Sequence, residues 1–468
     1  MTMGADHQAT YQPGERERLS WRRPLSFTTL VPLKAVDLVG LHQRLRDLER
    51  NWITRLEAVE DLHSFRLVVI PPDGQSSQPF LLMNCVHDRP LAVHLPMLLS
   101  VIGEELGASL CSVGVDLPAD RLMQTLMRHR VFEQTFHLGA INRSVKDIRQ
   151  ERHLRETVQH FADEQLSAGV WDLRTAPETI FRQIRDFVLQ RRDPGLPGSA
   201  REKIGTVGRL RRFWSLLVTF AFPAIGVLAR DIHAAANAIR QGITRLLAQL
   251  ALWLWWIYGA IPTALAFASV RLVERFERRS EAPEPDPAKV DRLVAREDQR
   301  IQNAVTIWFP VKNSFVRRLL LRVILWGSER GCRHFWTRGA LADIDTIHFA
   351  RIMQANNGHT MLFMSDYDGS LNRYLDDFIG VGSRAVIAIS SNLAGCPETR
   401  WLFRKTDPTS FGPRWRSLIR ACQLEMAVWY SAYPNLTVGD IIRNAKIRDG
   451  LFAGEANPET ARNWLRLL

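Results

Sequence analysis

A chain of 468 residues, 46% hydrophobic and 24% charged, has room for several domains and more than one core, and its composition excludes a disordered polymer. Its five cysteines (Cys85, Cys111, Cys332, Cys396 and Cys422) are scattered with no CxxC pair, which argues against a disulfide framework or a structural zinc site. The formal charge of +12 invites nucleic acid or an anionic lipid surface, and the many arginines beside an apolar stretch favour lipid. No aromatic and basic strand motif of the RRM kind accompanies the charge, so nucleic acid is the weaker partner.

In chain order, residues 1–24 are polar and charged, lack the apolar core of a secretory signal and read as a mobile tail. The first folded unit, 25–165, opens on a short apolar strand, Phe27–Val31, that stops at Pro32. Leu38, Leu41, Leu45 and Leu48 follow as one stripe of an amphipathic helix. Two strands, Phe65–Ile70 and Phe80–Val86, flank the turn-forming PPDGQSSQP. Leu95, Leu98, Leu99, Ile102 and Leu106 mark a second helix, and Ser109–Val113 reads as a last strand.

DPGLPGS from Asp193 then leads into a change of composition over 200–279. Leu246 to Val270 holds Gln249 as its one strongly polar side chain and, as a helix, would reach roughly 37 Å, enough to cross a hydrocarbon layer of roughly 30 Å. With the shorter run Phe213–Ala229 it makes an apolar helical hairpin, spanning the membrane or lying flat on it; a pair of buried helices is the bland alternative. Arginines concentrate before and after the hairpin (Arg209, Arg211 and Arg212; Arg271, Arg275, Arg278 and Arg279), which places the globular halves on the cytoplasmic side of a bacterial inner membrane.

A linker, 280–300, precedes the second unit, 301–468, which repeats the first. Thr28, Pro32 and Lys34 answer Thr306, Pro310 and Lys312; His63 and Arg66 answer His348 and Arg351; Asn142, Val145, Asp147, Ile148 and Arg155 answer Asn435, Val438, Asp440, Ile441 and Arg448. FLLMNCVHD from Phe80 aligns with MLFMSDYDG from Met361 at a shift of 281. Strands are expected at Val305–Phe309, Ile347–Met353, Met361–Met364 and Ala385–Ile389, with helices at Phe315–Trp326 and Leu371–Ile379. The resulting expectation is an α+β fold: two tandem ferredoxin-like units, β-α-β-β-α-β, packed sheet to sheet around the inserted hairpin.

The densest polar cluster is Ser365-Asp366-Tyr367-Asp368-Gly369 at a strand end. Two carboxylates two residues apart there face similar sides, and their repulsion would raise one pKa toward acid–base use; the same residues would equally cap the following helix. At the 281 shift the first copy lacks this cluster, so a site would belong to the second copy. His348 and Arg351, an odd separation apart on a strand, face opposite sides. Arg400 would stabilise an anion, with Asn392, Tyr430 and Asn435 lining the same space. Asp440 reads as a helix-start residue.

IHFARIM, LFMSDYDGSLNRYLDDFI, RWLFR and VWYSAYPNLTVGDI, covering most of 300–450, resemble a bacterial family related to the dye-decolourising peroxidases. The resemblance implies the dimeric α+β barrel fold and haem chemistry with a proximal histidine, a distal acid in a GxxDG motif and an assisting arginine. Ser365-x-x-Asp368-Gly369 matches that motif except at its first glycine, making Asp368 the acid; His348 and His359 are the available haem ligands. The expectations are a membrane-attached, peroxidase-like oxidoreductase acting on an unknown small molecule or, alternatively, a non-catalytic ligand-binding or scaffold protein at the bilayer.

Overall fold

A computed structural model describes residues 24–197 and 283–468, apart from short stretches within them, together with a few positions between 268 and 275. The tail 1–24, save its last residue, and nearly all of the hairpin 200–279 lie outside the described residues, as do 335–343.

The fold is mixed α+β with two antiparallel sheets. Strands β1 (Leu25–Pro32), β2 (Leu62–Ile70) and β3 (Phe80–His87) form the first sheet with a two-residue β4 (Arg130–Val131) beside β1. Helices α1 (Leu38–Leu56) and α2 (Leu91–Cys111) cover it. After α3 (Leu122–Arg128), the chain crosses over: β5 (Thr135–Leu138) joins the second sheet. Helices α4 (Val145–Ser167), α5 (Pro177–Gln190) and α6 (Pro287–Glu297) follow. The second sheet contains β6 (Gln302–Pro310), β7 (Ile347–Ala355) and β8 (Thr360–Asp368), with α7 (Phe315–His334) between the first two. Then come α8 (Leu371–Gly380), α9 (Ser383–Ser390), a small ribbon of β9 (Thr399–Trp401) and β10 (Arg404–Lys405), and α10 (Pro408–Cys422). Finally β11 (Val428–Ser431) returns to the first sheet, and α11 (Val438–Leu451) and α12 (Pro458–Leu465) end the chain.

The sheet orders are therefore β11-β2-β3-β1-β4 and β5-β7-β8-β6. Each half lends one strand to the other's sheet: β11 pairs with β2, and β5 with β7. The correspondence runs down to registers. Thr29 pairs with Arg130 on the outer side of β1, and Ile307 forms an isolated bridge with Gln423 on the outer side of β6. The inner faces of the sheets meet across Leu30, Val68, Ile70 and Leu82 on one side and Trp308, Met353, Leu362 and Met364 on the other.

Two expected strands are helix instead. Residues 109–113 run off the end of α2, where Leu106 and Leu110 continue the buried stripe of Leu95, Leu98 and Ile102, and 385–389 lie inside α9. A short apolar run carries no period long enough to separate strand from buried helix. Among the described residues, α2 alone is long and apolar enough to cross a membrane, and its buried leucines belong to the first core.

Candidate functional site

Asp366 sits on β8 between the two sheets, 2% exposed. From the first sheet Arg66 donates to its Oδ1 at 2.5 Å, and from β7 Arg351 donates to Oδ2 at 3.2 Å. Trp429 on the exchanged strand β11 adds its indole N–H at 3.1 Å. Arg66 also donates to the Val305 carbonyl at 2.9 Å. Burial pushes the Asp366 carboxyl up, but Arg66 and then Arg351 bring it below the usual carboxylate range, so it stays ionised. Burial in turn draws the Arg66 guanidinium down to about 10. The expected carboxylate repulsion does not govern Asp366; two cations do.

Asp368 has a different task. Its Oδ1 lies 2.7 Å from His348 Nε2, and its Oδ2 accepts the Val438 amide at 2.8 Å, capping α11 rather than the helix that follows it in sequence. The first half repeats this constellation: His63 Nε2 lies 2.9 Å from Asp88 Oδ1, and Asp88 Oδ2 accepts the Val145 amide at 2.9 Å, at the start of α4. The backbone repeats it too, with Asp88 N donating to Asp61 O and Asp368 N to Thr346 O, both at 2.9 Å.

These pairings correct the sequence alignment. Ser26 pairs with Val86 and Ala304 with Asp366, so β3 and β8 correspond at a shift of 280. The first half therefore keeps one acid, Asp88 for Asp368, and replaces the other, Val86 for Asp366. His348 and Arg351 also escape the parity argument, because the ladder shifts register between Ile347 and Phe349 and both residues reach acids of the one strand. An equivalent irregularity surrounds His63.

The remaining candidates do not converge on this centre. Tyr367 is buried on the other face of β8, stacked 4.3 Å from Tyr374, and burial raises its hydroxyl pKa far above the ordinary value. Asn392 follows α9 and donates to the Ala388 carbonyl at 2.8 Å. Tyr430 pairs with Phe65 in the first sheet and belongs to that sheet's core. Asn435 is exposed on the loop before α11. Arg400 lies in β9, and its side chain is outside the described residues. Arg66, His63, Asp88, Trp429 and Tyr433 are the members that sequence reasoning left out of the site; Tyr433 Oη lies 2.7 Å from His63 Nδ1. The repeated histidine–arginine pairs were the available signal.

No family model, curated protein or solved structure matches the chain.

The residues themselves decide what the site can hold. The His348 ring is 2% exposed, engaged by Asp368 and set against Phe349 and Tyr433. Arg318 Nη1 lies 2.6 Å from His359 Nε2 and 3.1 Å from its Nδ1. His348 Nε2 and both His359 nitrogens are thus engaged by protein side chains.

A second cluster, Asp61, His87 and His94, gathers metal-ligating atoms within 4.8 Å. His94 Nδ1 lies 3.1 Å from both Asp61 oxygens, and His87 Nδ1 lies 2.7 Å from the Arg89 carbonyl oxygen. The two rings stack at 4.2 Å and 5°. A cation lies near the plane of each imidazole that binds it, so two stacked, parallel rings cannot share one in this arrangement. The pair stands where Tyr367 and Tyr374 stack in the second half, which makes it a strand-to-helix packing contact.

Among the described residues, one concave feature of ≈ 190 Å³ is lined by Ala140, Arg143, Lys446 and Asp449 among others, and another is apolar. The apolar one lies on the outer face of the second sheet beneath α8, α9 and α10, lined by Phe309, Ile352, Phe363, Phe378, Ile389 and Trp415 among others. Its volume of ≈ 70 Å³ is several times the roughly 10–15 Å³ needed for one water.

Proposed function

We propose that this chain is a membrane-attached, non-catalytic binding protein that holds an apolar ligand. Its body is two tandem ferredoxin-like units of the dimeric α+β barrel type, related in fold to the dye-decolourising peroxidases. What supports the tandem reading is the common strand order of the two sheets, with one strand exchanged each way. The globular halves lie on the cytoplasmic face, held there by the apolar segment 200–279.

The observation that carries the binding reading is the commitment of both candidate acids. Asp366 is shared by two buried arginines, and Asp368 caps a helix in a geometry that the first half reproduces with Asp88. A proton-transfer group needs access to its substrate; these two acids face protein. The apolar cavity under α8–α10 instead offers dispersion contacts and burial to a short aliphatic or aromatic group. A rise in melting temperature of the full chain with added benzene or a short alkane tests this. Ile389→Trp, which fills the cavity, should weaken binding at least tenfold; unchanged binding would move the ligand elsewhere.

The peroxidase-like oxidoreductase remains the rival reading, resting on Ser365-x-x-Asp368-Gly369. Purified protein titrated with haemin separates the two. A Soret band that responds to peroxide and is lost in His348→Ala would favour the rival.

A further inference from the structure

Helix α7 buries Arg317, Leu321 and Leu325 against the second sheet, as the inner stripe of a covering helix should. Its opposite face breaks the rule. Phe315, Leu319, Val323 and Trp326 are 71%, 48%, 55% and 48% exposed. Their steps of four, four and three residues align them on one side of the helix. The charged groups around this stripe are arginines: Arg322 is exposed, Arg318 is half-buried, and the Arg330 guanidinium sits 5.2 Å from the Trp326 ring centroid. The helix's one acid, Glu329, accepts the Phe136 amide at 2.8 Å.

The first half supplies an internal control. Helix α1 holds the same place in the element order, yet beyond Val39 in its first turn its exposed positions are Gln43, Asp47, Arg50, Asn51 and Thr54. The fold therefore does not require an apolar outer face here. Only α7 has one.

We propose that this face of α7 lies on an anionic lipid surface. A stripe of Phe, Leu, Val and Trp rimmed by arginine has the composition of an interfacial helix, with the indole and guanidinium at headgroup depth and the aliphatic groups below. The charge complement is anionic headgroups, in keeping with the chain's +12. A second protein copy is the poorer occupant. One helix face is narrower than the roughly 800 Å² per partner that stable pairs bury, whereas an interfacial helix needs only its own stripe. The inference rests on the membrane-attached reading and adds a second contact that orients the globular body.

The test uses the full chain with Cys111→Ser and an environment-sensitive fluorophore on Leu319→Cys, an exposed position. A matching label on Asp47→Cys in α1 is the control. Vesicles contain phosphatidylcholine with or without phosphatidylglycerol, and brominated acyl chains act as quencher. The label at 319 should shift to the blue and be quenched, more strongly with phosphatidylglycerol, while the label at 47 stays aqueous. Arg322→Gln should weaken the phosphatidylglycerol-dependent part about fivefold. Vesicle-bound protein with an aqueous label at 319 overturns this inference and leaves membrane attachment standing. No vesicle binding at all overturns both. Shielding of 319 without vesicles, rising with protein concentration, replaces the lipid by a second copy.

Discussion

Arg66, Asp366 and Arg351 form an ionic triad at the centre of the molecule. Arg66 and Arg351, both fully buried, share Asp366. Removing the acid alone leaves two buried cations without a counter-charge, so Asp366→Asn should destabilise the fold by about 3–5 kcal/mol in urea titrations. Replacing all three by apolar residues (Arg66→Met, Arg351→Met and Asp366→Leu) should cost little or stabilise, because the desolvation penalty goes with the charges. A pH prediction attaches to His87. Its burial, with His94 beside it, holds its pKa well below 6.5. The unfolded chain then takes up the proton first, so the stability His87 contributes is complete above its unfolded pKa. It is lost as pH falls toward the folded value. His87→Tyr, which copies Tyr367, should shrink the drop in melting temperature between about pH 7.5 and about pH 5; equal drops would remove His87 from the account.

The sequence located the polar centre but not its wiring. Asp366 and Asp368 were legible as a cluster because they are near neighbours on one strand, and His348 and Arg351 as the second copy of a repeated pair. Arg66 reaches Asp366 across 300 positions, a contact that no local pattern announces. The alignment of the two halves also slipped by one residue in β3, and on a strand a one-residue slip turns every side chain to the other face. That slip set Cys85 and His87 against the two acids and concealed Asp88.

Among elements, the strongest device is the reciprocal packing of α4 and α11. Both open with a capping box, Ser144 with Asp147 and Thr437 with Asp440. Each capping acid then receives an arginine from the other helix: Arg448 reaches Asp147 at 2.9 Å, and Arg155 reaches Asp440 at 3.5 Å. The aligned block Asn-x-x-Val-x-Asp-Ile, with its trailing arginine, made both helix starts readable, and Asp440 is a helix-start residue as expected. The pairing across halves was not readable, since isolated helices with the same caps carry no partner information. Arg448 additionally meets the fully buried Glu151 at 3.4 Å. Arg448→Met should therefore cost about 2–3 kcal/mol, against less than about 1 kcal/mol for the more exposed Arg155→Met. Equal costs would show that Glu151 does not depend on Arg448. The expected strands at 109–113 and 385–389 fail for a related reason: the outer-edge pairing comes from Arg130–Val131 and Gln423, beyond the helices that those runs complete.

For the whole molecule, strand exchange ties the two halves together. Without β11, β2 would present an open edge, and without β5 so would β7. The internal repeat is thus expressed as a pseudo-symmetric body in which each His–Asp pair ties a strand end to the helix after a lent strand. On the proposed reading, Asp368 and His348 are the structural twins of Asp88 and His63 rather than the acid and base of a reaction. Thermal unfolding and peroxide-dependent dye oxidation, measured side by side for Asp88→Asn and Asp368→Asn in the full chain supplied with haemin, test that claim most directly. Similar losses of stability, on the order of 1–2 kcal/mol each from the lost cap, are expected, with no change in oxidation for either variant. An Asp368→Asn protein as stable as the parent but stripped of peroxide-dependent oxidation would contradict it.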